Sequence, residues 1–150
     1  MTHSNDTSIP AGISADSQTG TTTGSPNGET AETTSALDWR DGDMPYSRAF
    51  DDHFYCQTDG RLECGHVFLS GNGLPERWRE WEGGFRIGEL GFGTGLNLCE
   101  TWRQWKEHRR PGAHLHFVSF ELFPMQAEEI DRALARWPEI DAERQALVSL

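Results

Sequence analysis

Gly91, Gly93 and Gly95 stand two residues apart behind a short apolar run, with Glu89 just before them and Glu121 closing the next apolar run. Glycines so placed between a strand and a helix allow a sharp turn, close approach of backbone to a ligand, and close packing of helix on strand. Alone, the pattern is shared by several nucleotide folds. The acids narrow it. Free N–H groups at a helix N-terminus attract anions, so a dinucleotide site would leave that place open for a pyrophosphate. Glu89 there repels phosphate and suits an ammonium or a sulfonium, and S-adenosylmethionine carries both. The spacing G-x-G-x-G, rather than G-x-G-x-x-G, also counts against NAD or FAD. Glu121 stands where a carboxylate can accept from both hydroxyls of a ribose. Its plainer alternative is an acid favourable to the dipole of a helix starting at Pro124.

The elements that must position these groups follow from periodicity. Residues 85–90 (FRIGEL) read as a strand running into the glycine loop. From Gly95 to about His108 the pattern is helical, with Leu98, Trp102 and Trp105 on one face. Arg110-Pro111-Gly112 stops that helix. Residues 115–121 (LHFVSFE) form a second strand, apolar enough to be buried on both faces. A second helix follows Pro124, with Ile130, Leu134 and Trp137 at helical spacing. Strand, helix, strand, helix spells an α/β fold with a parallel sheet. Residues 85–150 would be its first βαβα part. A third strand is expected where the sequence stops at Leu150, so the chain reads as an incomplete piece of a larger domain.

Upstream, residues 37–84 read as a lead-in segment built on a β-hairpin. Residues 54–58 and 61–69 flank Asp59-Gly60, and Asp-Gly between such runs signals a tight turn with two positive φ angles. Pro75 suits the first turn of a short helix to Trp81. Residues 1–36 hold 15 Ser or Thr and four Gly, without Lys, Arg or an aromatic residue. Such a composition cannot offset its ordering entropy, and a disordered tail is expected.

The formal net charge of −11 argues against a broad basic surface for nucleic acid. One local exception is Arg103, Lys106, His108, Arg109 and Arg110, a possible RNA contact or an ordinary solvated helix end. No run approaches the ~18 apolar residues of a membrane span, and no signal peptide begins the chain, so a cytoplasmic protein is expected. Cys56, Cys64 and Cys99 form no disulfide framework. With His53 and His66, the first two lack the short ligand pair of a zinc site, and no metal is expected. The tryptophans Trp78, Trp81, Trp102 and Trp105 read as core rather than as stacking platforms. Asp51-Asp52 is either a polar wall near the cofactor mouth or a plain loop. Two further readings stay open beside a methyltransferase: a dinucleotide-binding oxidoreductase module, and a non-catalytic remnant binding RNA or a partner.

Longer motifs carry a resemblance. Residues 45–52 (PYSRAFDD), 66–78 (HVFLSGNGLPERW), 89–97 (ELGFGTGLN), 116–124 (HFVSFELFP) and 136–139 (RWPE) resemble, in that order, the MnmC/MnmD methyltransferases. The resemblance spans roughly residues 37–140. It implies an incomplete Rossmann-like, class I S-adenosylmethionine-dependent fold. It further implies conversion of 5-aminomethyl-2-thiouridine to 5-methylaminomethyl-2-thiouridine at the wobble position of tRNA. Gly91, Phe92, Gly93, Thr94 and Gly95 would cradle the methionyl part, with Glu89 near its ammonium, Glu121 on the ribose and Leu122 against adenine. In many relatives of this kind a C-terminal oxidoreductase carries FAD. The family's catalytic Asp falls beyond residue 150, so this stretch is expected to be inactive alone.

Overall fold

The computed structural model describes residues 37–150, all within one folded unit. The tail expected over residues 1–36 lies outside the described residues. The chain begins with an antiparallel three-stranded sheet: β1 (Leu37–Arg40), β2 (Met44–Ser47) and β3 (Asp52–His53), in that spatial order. Here is the N-terminal hairpin, one Asp-Gly earlier than the spacing suggested. Arg40 pairs with Met44 across a turn in which Gly42 and Asp43 have φ of 75° and 57°.

Asp59-Gly60 makes no hairpin, and residues 54–58 and 61–69 are not strands. Asp59 is extended, at φ −163°, and its Oδ1 accepts the N–H of Arg61 at 3.0 Å and of Leu62 at 3.1 Å. That is the signature of a helix N-cap. Gly60 is needed for a different reason: a Cβ there would lie 2.7 Å from the Tyr55 side chain. A helical run follows, made of α1 (Gly60–Glu63), a π-helix (Cys64–Leu69) and a 3-10 turn (Ser70–Asn72). Then comes α2 (Leu74–Glu80), with the proline in its first turn as anticipated.

The second half alternates as its periodicity predicts. It contains β4 (Gly84–Leu90), α3 (Leu96–His108), β5 (His114–Phe120) and α4 (Ala127–Leu134). A 3-10 turn (Pro138–Ile140) and α5 (Asp141–Val148) complete it. Strands β4 and β5 run parallel, in register from Gly84 opposite His114 to Leu90 opposite Phe120. The α4 start is fixed by a capping box between Gln126 and Glu129.

Helix α3 stands between two cores. Leu96 and Cys99 join Met44, Tyr55, Ile130, Leu134, Trp137 and Ile140, whereas Trp105 joins Leu69, Trp78, Phe85 and Ile87. Trp78 meets Trp105 edge to face at 5.5 Å. The buried face of α3 is therefore Leu96, Cys99, Glu100, Thr101 and Trp105, while Leu98 and Trp102 are only half-buried. Glu100 is buried because Arg103, Gln104 and Arg61 surround its carboxylate. Trp81 is the one tryptophan of the four that stays exposed.

Strand β5 is not buried on both faces. Leu115 and Phe117 turn toward α3 and are half-buried, but Val118 and Phe120 turn the other way and are exposed. The helices pack on one face of the β4–β5 pair only, so the apolar run is explained on one side and bare on the other.

Asp59 joins the cap to the first core, since its Oδ1 also accepts Trp137 Nε1–H at 3.1 Å. Asp59→Ala should destabilise by about 2 kcal/mol, from a lost cap and an unpaired indole N–H. Urea denaturation followed by tryptophan fluorescence measures this, and Asp59→Asn should recover most of the loss.

Candidate functional site

Parallel register brings the carboxyl ends of β4 and β5 side by side, and both acids of interest emerge there. The Gly91 N–H continues the ladder, donating to the Phe120 carbonyl at 2.8 Å. After it the chain turns through three left-handed glycines, with φ of 87°, 55° and 78° at Gly91, Gly93 and Gly95. Only glycine adopts such angles readily. Their surroundings differ. A Cβ on Gly91 would meet nothing within 4 Å, whereas one on Gly95 would lie 2.8 Å from the Phe92 ring and 2.9 Å from Leu147. Gly95 thus admits α5 and the loop's own Phe92, and the helix-on-strand contact inferred from its spacing is not its constraint.

Glu121 crosses from β5 to this loop. Its Oε2 accepts the Gly93 N–H at 2.9 Å and its Oε1 accepts the Phe123 N–H at 2.9 Å. Partial burial acts to raise its pKa, but N–H groups of Gly93, Phe123, Leu122 and Phe92 outweigh this and leave it below the ordinary carboxylate value. Glu89 has the opposite environment. It is 7% exposed, with Oε1 accepting from Asn97 Nδ2 at 2.9 Å and Oε2 from Ser119 Oγ at 2.7 Å. Burial pushes its carboxyl above the ordinary value, against those two hydrogen bonds, and the neighbouring charge of Glu121 adds to the rise.

A cleft of about 700 Å³ opens at this edge, lined by Gly91, Gly93, Phe120, Glu121 and Leu122 from the α/β part. Its opposite wall is Ser47, Phe50, Asp52, His53 and Phe54. Of the residues singled out in the sequence, Gly91, Gly93, Glu121 and Leu122 meet in the cleft. Gly95 and Thr94 are buried beneath it, and Phe92 packs on the first core, so these three shape the loop from within. Glu89 lies outside the lining, held by Asn97 and Ser119.

Asp52 is part of the wall, while Asp51 is drawn away to the Tyr46 hydroxyl at 2.5 Å. Ser47, Phe50, His53 and Phe54 were not legible as site residues, because nothing in a local pattern shows that β3 folds over the loop. Asn97 and Ser119 were also missed. Ser119 left a signal, being the hydroxyl in an apolar strand, and the register sets it opposite Glu89.

The basic run on α3 is no free patch. Arg103 pairs with Glu100 and Glu107, Lys106 with Glu143, and Arg110 with Glu82. Arg109 donates to the Ala113 carbonyl. Among the described residues no group of three His, Cys, Asp or Glu could hold a metal ion, and Cys64 is buried while Cys56 is exposed.

Two measurements check this geometry. Gly95→Ala should cost at least about 2 kcal/mol, and Gly91→Ala about 1 kcal/mol, since both carry the left-handed penalty but only Gly95 is also enclosed. Denaturation midpoints compare them. Carboxyl-carbon NMR titration should place Glu121 below 4.5 and Glu89 above it. The sign for stability follows by linkage. The Glu121 contribution is present above the ordinary carboxylate value and lost as pH falls through its lowered pKa. The Glu89 contribution is present at low pH and lost as pH rises through its raised pKa.

No family model matches the chain. Curated relatives do. A protein of Chromohalobacter salexigens is 44% identical over 111 residues, which is 71% of this chain and 16% of the relative. One from Caulobacter vibrioides is 41% identical over 114 residues, 76% of this chain and 19% of the relative. One from Pseudomonas fluorescens is 46% identical over 106 residues, 69% of this chain and 16% of the relative. Each is named tRNA 5-methylaminomethyl-2-thiouridine biosynthesis bifunctional protein MnmC. The chain thus spans less than a fifth of the length of these relatives. In fold it is similar to the crystal structure of MNMC2 from Aquifex aeolicus, with a TM-score of 0.53 at 21% identity, covering 73% of this chain and 39% of that one. The parallel pair, its crossover helix and the glycine loop form part of a Rossmann-like α/β fold, and the chain carries an MnmC-like segment.

Proposed function

We propose that residues 37–150 are the cofactor-binding part of an S-adenosylmethionine-dependent methyltransferase that acts on the aminomethyl arm of a tRNA wobble uridine. The carrying observation is the composition of the cleft. Glu121 and Asp52 line it and no Lys or Arg does. A negative cleft favours a sulfonium and an ammonium and disfavours the pyrophosphate of a dinucleotide. Its volume suits a nucleoside-sized ligand.

In this reading Glu121 takes the ribose hydroxyls on the lone pairs that its backbone donors leave free. Exposed Leu122 covers the adenine, and Gly91, with open space where a Cβ would stand, lets the backbone approach the methionyl part. Phe92, Thr94 and Gly95 fix the loop. Glu89 is assigned the negative field beneath the ammonium rather than a direct contact, because it is 7% exposed and outside the cleft lining. When bound, the cofactor supplies an electrophilic methyl group. The protein's share is to hold the acceptor amine neutral and in line with it.

The substrate assignment draws on the names of the relatives, and a cytoplasmic location is inferred together with it. No helix among the described residues is long and apolar enough to cross a membrane. FAD belongs, in this reading, to an oxidoreductase part of the full-length protein, and no residue described here is assigned to it.

Isothermal titration of the full-length protein with S-adenosylhomocysteine should show saturable binding. Glu121→Ala should weaken it at least tenfold, about 1.4 kcal/mol. No binding to a natively folded protein, or preferential binding of NAD, would overturn the proposal.

A further inference from the structure

The covered face of the β4–β5 pair is apolar in its first two rows, Phe85 opposite Leu115 and Ile87 opposite Phe117. The third row is Glu89 opposite Ser119. A carboxylate there costs desolvation that an apolar pair would not. Three carboxylates are buried among the described residues, those of Glu89, Glu100 and Glu143. Two have a cation in place. Glu100 pairs with Arg61 and Arg103, and Glu143 pairs with Lys106. Glu89 is met by neutral donors instead: Ser119 Oγ from the strand and Asn97 Nδ2 from the first turn of α3. Each takes one oxygen, so the carboxyl group is fixed in orientation two residues before the glycine loop. Glu121 stands beside it at the end of β5. Cys64 of the π-helix feels its charge too. That thiol is pushed up to about 12, by burial first and then by Glu100 and Glu89, and stays protonated. Asp52 and His53 stand across the cleft.

We propose that Ser119 and Asn97 are positioning residues that hold the Glu89 carboxyl beneath the cofactor's ammonium, and that cofactor uptake drives a proton off Glu89 into solvent. The inference rests on the cofactor reading of the cleft. In the free protein, burial favours the neutral carboxyl. The arriving ammonium supplies the countercharge that Glu100 and Glu143 already have, and the charged form becomes the favoured one. The sign of the pH dependence follows. Below the raised pKa of Glu89, binding must displace a proton and is weakened. Affinity therefore rises with pH and levels off once Glu89 is ionised in the free protein. Glu121 adds no step in that range, because its backbone donors keep it ionised to lower pH. Ser119 and Asn97 both stabilise the charged form of Glu89, so losing either donor moves the step to higher pH.

Calorimetric titration of the full-length protein with S-adenosylhomocysteine, between about pH 5 and about pH 8 in two buffers of different ionisation heat, counts the proton. Affinity should rise about tenfold across that range, with a fraction of one proton released at its lower end and none at its upper end. Ser119→Ala and Asn97→Ala should each move the step to higher pH. Ser119→Thr, which restores the hydroxyl, should return it to the parent position, a response that a purely structural role would not produce. Glu89→Gln should flatten the profile. A parent profile that is flat and releases no proton would overturn this inference and leave the cofactor reading standing. So would a profile that survives in Glu89→Gln, since it would belong to another group of the cleft such as His53. Should Glu89→Gln not fold natively, a Ser119→Ala profile identical to the parent's overturns the inference equally. A natively folded parent that binds no S-adenosylhomocysteine removes the cofactor reading and this inference together.

Discussion

The hydrogen bond from the Gly93 N–H to Glu121 Oε2 joins the loop after β4 to the end of β5, and most of the site depends on what that bond requires. It forms only if the two strands run parallel and end at the same level, which the register from Gly84 opposite His114 to Leu90 opposite Phe120 provides. It also requires the loop amide to point at the strand end, and left-handed φ at Gly91 and Gly93 turns it there. The carboxylate in turn restrains the cleft side of the loop, while Phe92 packs its other side on the first core. A charged acceptor for backbone N–H groups is worth roughly twice a neutral one, so the loop is held open in the shape of the cleft.

Glu89 and Glu121 show how one edge of a sheet gives two carboxylates different work. Both stand at strand ends, one strand apart, and their charges oppose each other. The chain resolves this by environment. Glu121 stays accessible and is kept ionised by backbone donors, while Glu89 is enclosed against α3 and Ser119 with its carboxyl pushed upward. Asn97 at the start of α3 and Ser119 on β5 converge on Glu89, which therefore ties the helix N-terminus to the second strand. A ligand cation arriving above would favour its charged form, so binding and the protonation of Glu89 are coupled.

The second half of the fold was legible because its signals are local. An apolar run ending in glycines, a helix stopped by Arg110-Pro111-Gly112, and Ile130 and Leu134 at helical spacing each gave an element where one exists, although α4 is shorter than the spacing suggested and Trp137 lies beyond its end. The first half was less so. Asp59-Gly60 carries the pattern of a tight hairpin, but the packing of Tyr55 on Gly60 and of Trp137 on Asp59 comes from distant residues. Those contacts favour a helix start over a turn. The same tertiary cause hid half of the cleft. Residues of the site in the second half lie on one βαβ unit, whereas Ser47, Phe50 and His53 reach it only through the antiparallel sheet.

Phe120 and Leu122 illustrate the remaining ambiguity in physical terms. Along β5 polar and apolar residues alternate from His114 to Phe117 and then change phase, so that Val118 and Phe120 put apolar groups on the second face. That pattern argues for two covered faces. One face packs on α3, and the other exposes Leu90, Val118 and Phe120. At its upper end this bare face runs into the cleft, where Phe120 forms part of the lining beside Leu122. The apolar residues there thus do two separate things. Toward the middle of the strand they supply surface whose burial would be worth about 25 cal/mol per Å². At the carboxyl end Phe120 and Leu122 give apolar lining beside the Glu121 carboxylate, a pairing of apolar surface and fixed acceptor that the proposed nucleoside ligand would use.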